Sequence, residues 1–461
     1  MYLKVLKHYW ARLLLLTVFF FINGISVSVA EQRACAPLPD TLNVDRIWGG
    51  TSVRFGSVES ASAIYIGYYD TQRWLAVSQI DKCTGHVKKV RLSSRFAGWD
   101  SHNYIAMALD KEGRVHIAGN MHVTPLVYAR MSKPDDLESL QTLQPTTEAN
   151  QSRTTYPRFF EFPDGALGLS YRDGQSGNGV EIIDRFDGTA WQRWLTNPLF
   201  GPSSVREHVN AYATDYIRGP DGYFHVAWVW RVNSNVETNF NINYARSKDL
   251  RAWETSKGKS LALPITPLNA EVVDVVPQGS GLFNNIKLGF DGDARPVISY
   301  LKFDAKAYTQ LFHARQEING WKVSQSTRWH YRWDPRGRGT IPSEISFSGL
   351  VWRDGMLVER ITHPEKGNSG TFDYNVQSLA IGNLIKSFRW PDAIDVSRAV
   401  PLNTRLQRLA VKPTKNDVAP SFAITWASMP NDTRDLPRVC KPEVADCRYA
   451  FDLILHKLDK R

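Results

Sequence analysis

This 461-residue chain has little helical periodicity and only four cysteines, and beyond its first thirty positions no apolar run approaches the length of a membrane span. Those gaps exclude a helical bundle, a disulfide-dense miniature scaffold and a polytopic membrane protein. The formal net charge is +10, yet no Lys/Arg-dense tract exists, so the charge is spread over the molecule instead of gathered into a nucleic-acid-binding arm. Zinc-knuckle cysteine spacing, an HExxH helix and an Asp-rich loop are all missing, so no metal centre is assigned. The glycine-rich GQSGNG (174–179) does not lead into a helix opening on Lys-Ser/Thr. It is not a phosphate loop and fits a flexible loop at a cleft rim.

The chain opens with Lys4, Lys7 and Arg12, an apolar run from Leu13 to Ile22, and small residues at Ser28 and Ala30. This is the pattern of a secretory signal peptide over residues 1–30, with a mature chain of 31–461 that is secreted or periplasmic. Loss of the leader lowers the net charge from +10 to +7. A basic protein outside the cytoplasm suits an anionic partner. In an oxidising compartment Cys35, Cys83, Cys440 and Cys447 favour two disulfides, and the local pairs Cys35–Cys83 and Cys440–Cys447 are the simplest of the three possible sets.

One unit recurs along the chain: a turn with Asp-Gly or a relative, then an alternating apolar strand. It stands at DKEGRVHIAG (110–119), PDGALGLSYR (163–172), PDGYFHVAWVWR (220–231), DGDARPVISYL (291–301) and RDGMLVERI (353–361). The glycines at 113, 165, 222, 292 and 355 are 52, 57, 70 and 63 residues apart. Tyr128-Ala-Arg130, Tyr244-Ala-Arg246 and His313-Ala-Arg315 mark a later strand in three copies, and Trp191, Trp253 and Trp321 close units. Short strands repeating at about sixty residues predict an all-β fold, a single seven-bladed β-propeller of four-stranded antiparallel blades.

Within the first of these hairpins, a three-residue loop Lys111-Glu112-Gly113 between Asp110 and Arg114 sets a register in which opposed residue numbers add to 224. Leu109, Val115, Met107 and Ile117 then form one bulky face, and His102 stands across from His122 at the open end. Asn103 and Asn120 lie beside them. Two imidazoles brought together suit proton transfer near neutral pH.

WDSHNYIAMALD (99–110), AGNMHVTPLVYAR (118–130), YRDGQSGNG (171–179), DRFDGTAW (184–191) and GPDGYFHVAWVWR with NYARSKDLRAW (219–253) resemble the BNR-repeat propellers that include the ulvan lyases. The resemblance implies a seven-bladed propeller that cleaves a uronate-containing polysaccharide by β-elimination, with two histidines, a tyrosine and an arginine at the site. Carried over by motif, these are His102, His122, Tyr171 and Arg185, with Arg172 and Tyr223 as nearby competitors. Asn103, Asn120, Arg172, Tyr223, Tyr244 and Arg246 are the expected substrate-binding residues. On this reading His102 or Tyr171 abstracts the C5 proton, and Arg185 with His122 neutralises the carboxylate. The chemistry needs no cofactor. The expected partner is an anionic polysaccharide, with no nucleic acid, no stable membrane association after leader removal, and a monomeric enzyme. Two other readings stay open: a glycoside hydrolase, which needs two carboxylates, and a non-catalytic glycan-binding propeller. Fifteen tryptophans, eighteen tyrosines and the basic aromatic loop HYRWDPRGRG (330–339) would serve the latter.

Overall fold

The Asp-Gly turns fall at one recurrent place, between the first and second strands of a sheet. The computed structural model describes residues 35, 38–143, 151–204, 207–365, 367–385, 401, 403–413, 420–439 and 448–458. Gly113, Gly165, Gly222 and Gly355 each take φ near +80°, which L side chains rarely adopt, and in the 291–295 turn Ala294 takes that role at +61°. The Tyr/His-Ala-Arg triplets lie in third strands, and Trp191, Trp253 and Trp321 begin or sit in fourth strands.

Seven antiparallel sheets follow one another along the chain, each built on four strands that step outward in sequence order. They span residues 56–95, 105–143, 154–193, 210–274, 287–325, 346–385 and 405–457, and are numbered blades 1 to 7 here. Blades 4 and 6 carry short extra strands. The seventh blade is completed from the other end of the chain: Thr41–Trp48 pairs with Ala450–Lys457 as its outermost strand. This closure removes the free edge that a string of sheets would otherwise present. The fold is the all-β seven-bladed propeller expected.

Apolar side chains from facing sheets fill the space between blades. Tyr65, Tyr68, Ile117 and Met131 belong to a core shared by blades 1, 2 and 7, and Ala118, Tyr128, Leu169 and Tyr171 to one shared by blades 2 and 3. Among the described residues no helix is long and apolar enough to cross a membrane. The chain divides into compact units of residues 1–36 and 37–461. Cys35 in the first and Cys83 in the second are each disulfide-bonded. The leader and the Cys440–Cys447 pair lie outside the described residues.

Candidate active site

The blade 2 hairpin has the register derived from its loop. Ile105 pairs with Gly119, Met107 with Ile117 and Leu109 with Val115. The ladder stops at 105 and 119, so both histidines stand just beyond it, on the segments entering the first strand and leaving the second. Antiparallel strands bring those two segments to one face of the propeller.

The entering segment is shaped by Asp100. Its Oδ1 accepts the backbone N–H of His102 at 2.9 Å, and its carbonyl accepts from Asn103 N and Nδ2. The leaving segment turns through Asn120 (φ +61°) and Val123 (φ +57°) and is tied to blade 3 by Val123 N donating to Thr154 O. The two rings stack with centroids 4.4 Å apart. Asp100 joins them: Oδ1 lies 2.5 Å from His102 Nδ1, and Oδ2 bonds His122 Nδ1. Burial would push the Asp100 carboxyl up, but the two imidazole hydrogen bonds hold it well below the usual carboxylate range. Since an ionised carboxylate only accepts, each imidazole places its proton on Nδ1, leaving Nε2 as a free acceptor.

These three side chains bring ligand-type atoms within 4.8 Å of one another, so they are also the residues that could hold a metal ion. Zinc-bound N and O atoms sit about 2.0–2.2 Å from the ion. Nitrogens already within hydrogen-bond reach of the carboxylate would have to move apart to admit one.

A cavity of about 310 Å³ opens beside the histidines, and Tyr156, Tyr212 and Arg231 are among its other lining residues. Tyr156 sits at a bulge in strand Thr154–Glu161, where pairing slips between Thr155 and Arg158. Its φ is +58°, a strained value for a tyrosine that re-aims the side chain out of the ladder. Its ring meets His102 edge-on at 5.8 Å and Tyr212 at 6.0 Å, and its hydroxyl has no hydrogen-bond partner among the described residues. Burial pushes that phenol above its ordinary value.

Two guanidiniums enclose Tyr212. Arg231 lies 4.1 Å from its ring centroid and Arg172 at 5.9 Å, and Ser176 of the GQSGNG loop meets its hydroxyl at 2.6 Å. Burial alone would raise the Tyr212 phenol, but Arg231 and then Arg172 outweigh it and lower the pKa below 10.0. Both arginines are buried, at 7% and 3% exposed. Among the described residues Arg231 donates to the side-chain oxygens of Asn239 and Asn284, each at 2.7 Å, and to no carboxylate. Arg172 Nη1 makes a long contact of 3.4 Å with the Tyr212 hydroxyl, while its Nε and Nη2 meet no acceptor. A Cβ on Gly179 would come within 2.8 Å of the Arg172 Cδ, so the third glycine of that loop makes room for the side chain. Buried cations with neutral partners are costly, which marks a site made for an anion.

Tyr171 and Arg185 are not part of this arrangement. Tyr171 is fully buried between blades 2 and 3 with its hydroxyl on Asp184 at 3.0 Å, and Arg185 pairs with Asp164 on the exterior. Strand alternation explains the difference, because neighbours 171 and 172 point to opposite faces and it is Arg172 that faces the tyrosines. Of the other expected binding residues, Tyr223 packs against Arg246, which pairs with Glu254, and Tyr244 bonds His225, all away from the cavity. Asn103 and Asn120 brace the histidine segments through Asp100 O and Ser94 Oγ. Tyr156, Tyr212 and Arg231 were missed as candidate site residues, and Asp100 enters from the sequence only as a hydrolase carboxylate. The strand-breaking sequence Thr155-Tyr156-Pro157 was the one available signal for Tyr156.

The fold is a propeller, and one face carries a cavity lined by two histidines, two tyrosines and two arginines. The model of the BNR repeat-containing family matches residues 63–329, more than half of the chain, and the chain belongs to that family. An ulvan lyase of polysaccharide lyase family PL25, solved bound to -[GlcA(1-4)Rha3S]-, superposes with a TM-score of 0.57 at 13% identity, covering 84% of this chain and 92% of that one. The polysaccharide lyase Uly1 superposes with a TM-score of 0.55 at 12% identity, over 92% of this chain and all of that one. In sequence, the long isoforms of ulvan lyase from Alteromonas sp. and Pseudoalteromonas sp. (strain PLSV) are 26% identical over 141 residues, 29% of this chain. The match covers only 14% of the length of those relatives.

Proposed function

We propose that this protein is a polysaccharide lyase acting on a uronate-containing anionic polysaccharide of the ulvan type, outside the cytoplasm, by β-elimination. The observation that carries the reading is that an Asp100-tethered imidazole pair and the buried guanidinium of Arg231 line one cavity, with Arg172 buried behind its tyrosines.

Elimination breaks the C5–H bond of the uronate, forms the C4–C5 double bond and expels the oxygen on C4. As the proton leaves, negative charge builds on the carboxylate. Arg231 in the cavity wall, with Arg172 behind the tyrosines, supplies the opposing charge. A well-placed donor at a developing anion contributes about 3–4 kcal/mol. The free Nε2 of His102 takes the C5 proton, and the Asp100 carboxylate, held also by His122, stabilises the imidazolium that forms. Tyr156 keeps its proton because burial raises its pKa, and its free hydroxyl donates to the departing oxygen. The proton then returns from the His102 imidazolium to Tyr156, leaving the site as it began. No cofactor enters these steps.

A hydrolase would require two carboxylates flanking the bond. Among the described residues no acidic side chain lines the cavity, and Asp100 is engaged by both histidines. The decisive experiment incubates purified protein with a panel of uronate polymers, ulvan included, and follows the ultraviolet absorbance of the unsaturated product. A rise that disappears in His102→Ala and Tyr156→Phe is expected. New reducing ends without absorbance would replace elimination by hydrolysis, and binding without either product would leave a glycan-binding propeller.

A further inference from the structure

The segment 326–345 between blades 5 and 6 crosses the face that carries the histidines. Trp329 and Trp333, buried, root it in blade 5, where Gln310 and Thr309 bond their backbone groups at 2.8–3.0 Å. From there the strap reaches three other parts of the propeller. Gly337 exchanges hydrogen bonds with Val236 N and Glu237 Oε2 beside blade 4, Thr340 N donates to Asp435 Oδ2 in blade 7, and Thr340 Oγ1 meets Ser101 Oγ at 2.7 Å, one residue from His102. Gly337 and Gly339 take φ of +85° and +83°, and a Cβ on Gly339 would lie 2.9 Å from the Arg434 carbonyl. The strap is therefore pinned on both sides of the residue between those glycines, Arg338, which lines the histidine cavity.

Arg338 is exposed and has no hydrogen-bond or ion-pair partner among the described residues. It is the second guanidinium lining a cavity with no acidic lining residue, and one uronate carboxylate supplies a single negative charge to set against Arg231 and Arg338. Electroneutrality at a site this cationic calls for a second anion on the ligand.

We propose that Arg338 on this strap forms a subsite for a second anionic group, carried by a sugar adjacent to the uronate, and so selects densely charged chains. The inference rests on the reading of the cavity as a uronate site. The second anion is an oxyanion that a guanidinium binds through paired N–H donors, from either a sulfate ester or a further carboxylate.

Calorimetric binding and elimination kinetics are measured on native ulvan, chemically desulfated ulvan and sulfate-free polyglucuronate, for the wild type, Arg338→Ala and Arg338→Lys. Arg338→Ala is expected to raise Kd and KM about tenfold on the preferred polymer with kcat unchanged, and Arg338→Lys to recover part of the loss. If the sulfate is the ligand, the wild type prefers native over desulfated ulvan and Arg338→Ala erases the preference. If a carboxylate is the ligand, polyglucuronate binds as well as ulvan and Arg338→Ala weakens both alike. Values within twofold of the wild type on all three polymers would overturn the proposal, as would a fall in kcat at constant KM. A wild type that binds with this pattern but gives no unsaturated product would sink the lyase reading and leave the subsite standing.

Discussion

Replacing Asp100 by Asn removes one property and keeps the shape. Asp100 offers two acceptor oxygens, one to each imidazole Nδ1, and Oδ1 also accepts the His102 amide. Asn offers one acceptor oxygen and one donor amide. If the oxygen stays on the His102 side, where the backbone amide also requires an acceptor, the amide faces His122. That ring must then turn its Nδ1 lone pair inward and carry its proton on Nε2. If the side chain flips, His102 suffers this fate and the base is lost outright. In both cases the negative charge that steadies an imidazolium during turnover is gone. Loss of general-base function costs about 10²–10⁴ in rate, or roughly 3–5 kcal/mol of barrier. Neither arginine proposed to hold the carboxylate bonds Asp100, so KM should stay within about threefold. Initial rates on ulvan, read as product absorbance and fitted for kcat and KM separately, test this. An Asp100→Asn enzyme with kcat within threefold of the wild type would refute the tethered-imidazole argument, and a variant losing only KM would move Asp100 to substrate binding.

Tyr171→Phe should leave kcat and KM within about twofold while lowering stability by about 1–3 kcal/mol, since it strips a buried hydrogen bond from Asp184; urea melts beside rate assays separate the two, and a large loss of kcat with intact folding would restore Tyr171 to the site. Tyr212 has a lowered pKa, so as pH rises it ionises ahead of an ordinary phenol, and its phenolate then neutralises Arg231 and Arg172. KM for a uronate polymer should accordingly rise with pH on a limb below 10, and Tyr212→Phe should remove that limb; a limb unchanged in the variant would contradict the assignment. His116 and His225 are both depressed, by burial first, against the pull of Asp110 and Asp221. A depressed folded-state pKa means the unfolded chain binds protons first, so stability is full above about 6.5 and is lost as pH falls through the lower folded values. The urea midpoint should decline on that acid side, less steeply in His116→Gln, and a midpoint flat from pH 7 to 5 would show that neither histidine is coupled to folding.

Much of the blade architecture was legible because it repeats. Each of the five turns places one residue at positive φ, glycine in four and Ala294 in the fifth, so five turn signals marked five hairpins, and the loop Lys111-Glu112-Gly113 fixed a register that brought His102 and His122 together. Blade 7 was not legible in the same way, because its outer strand comes from residues 41–48 and nothing local in Thr41–Trp48 names a partner four hundred residues away. The second half of the site was hidden for a related reason. Tyr156 faces the cavity through a bulge, and a bulge shifts alternation by one residue without changing composition. Motif resemblance pointed to Tyr171 of YRDG, and nothing in that resemblance singled out Tyr156.

The histidines divide along the same line, and the division separates structure from chemistry. His116 and His225 occupy equivalent second-strand positions in blades 2 and 4. Each has Nε2 on the aspartate of its own hairpin turn, Asp110 or Asp221, and Nδ1 on a third-strand tyrosine, Tyr128 or Tyr244. Both ring nitrogens are consumed, so neither ring can accept a proton from a ligand without breaking a buried bond. His102 and His122 lie off the repeat, each uses one nitrogen on the shared Asp100, and neither Nε2 meets a partner among the described residues. The same reasoning reaches the arginines: Arg246 and Arg315, in the repeated triplets, are matched to Glu254 and Glu317, whereas Arg172 and Arg231 have only neutral partners. Where a residue type recurs with its partner, the propeller has used it to hold a blade together. Where the same type stands outside the pattern and without a charged partner of its own, as His102, His122 and Arg231 do in the cavity lining, it is placed where substrate chemistry can be done.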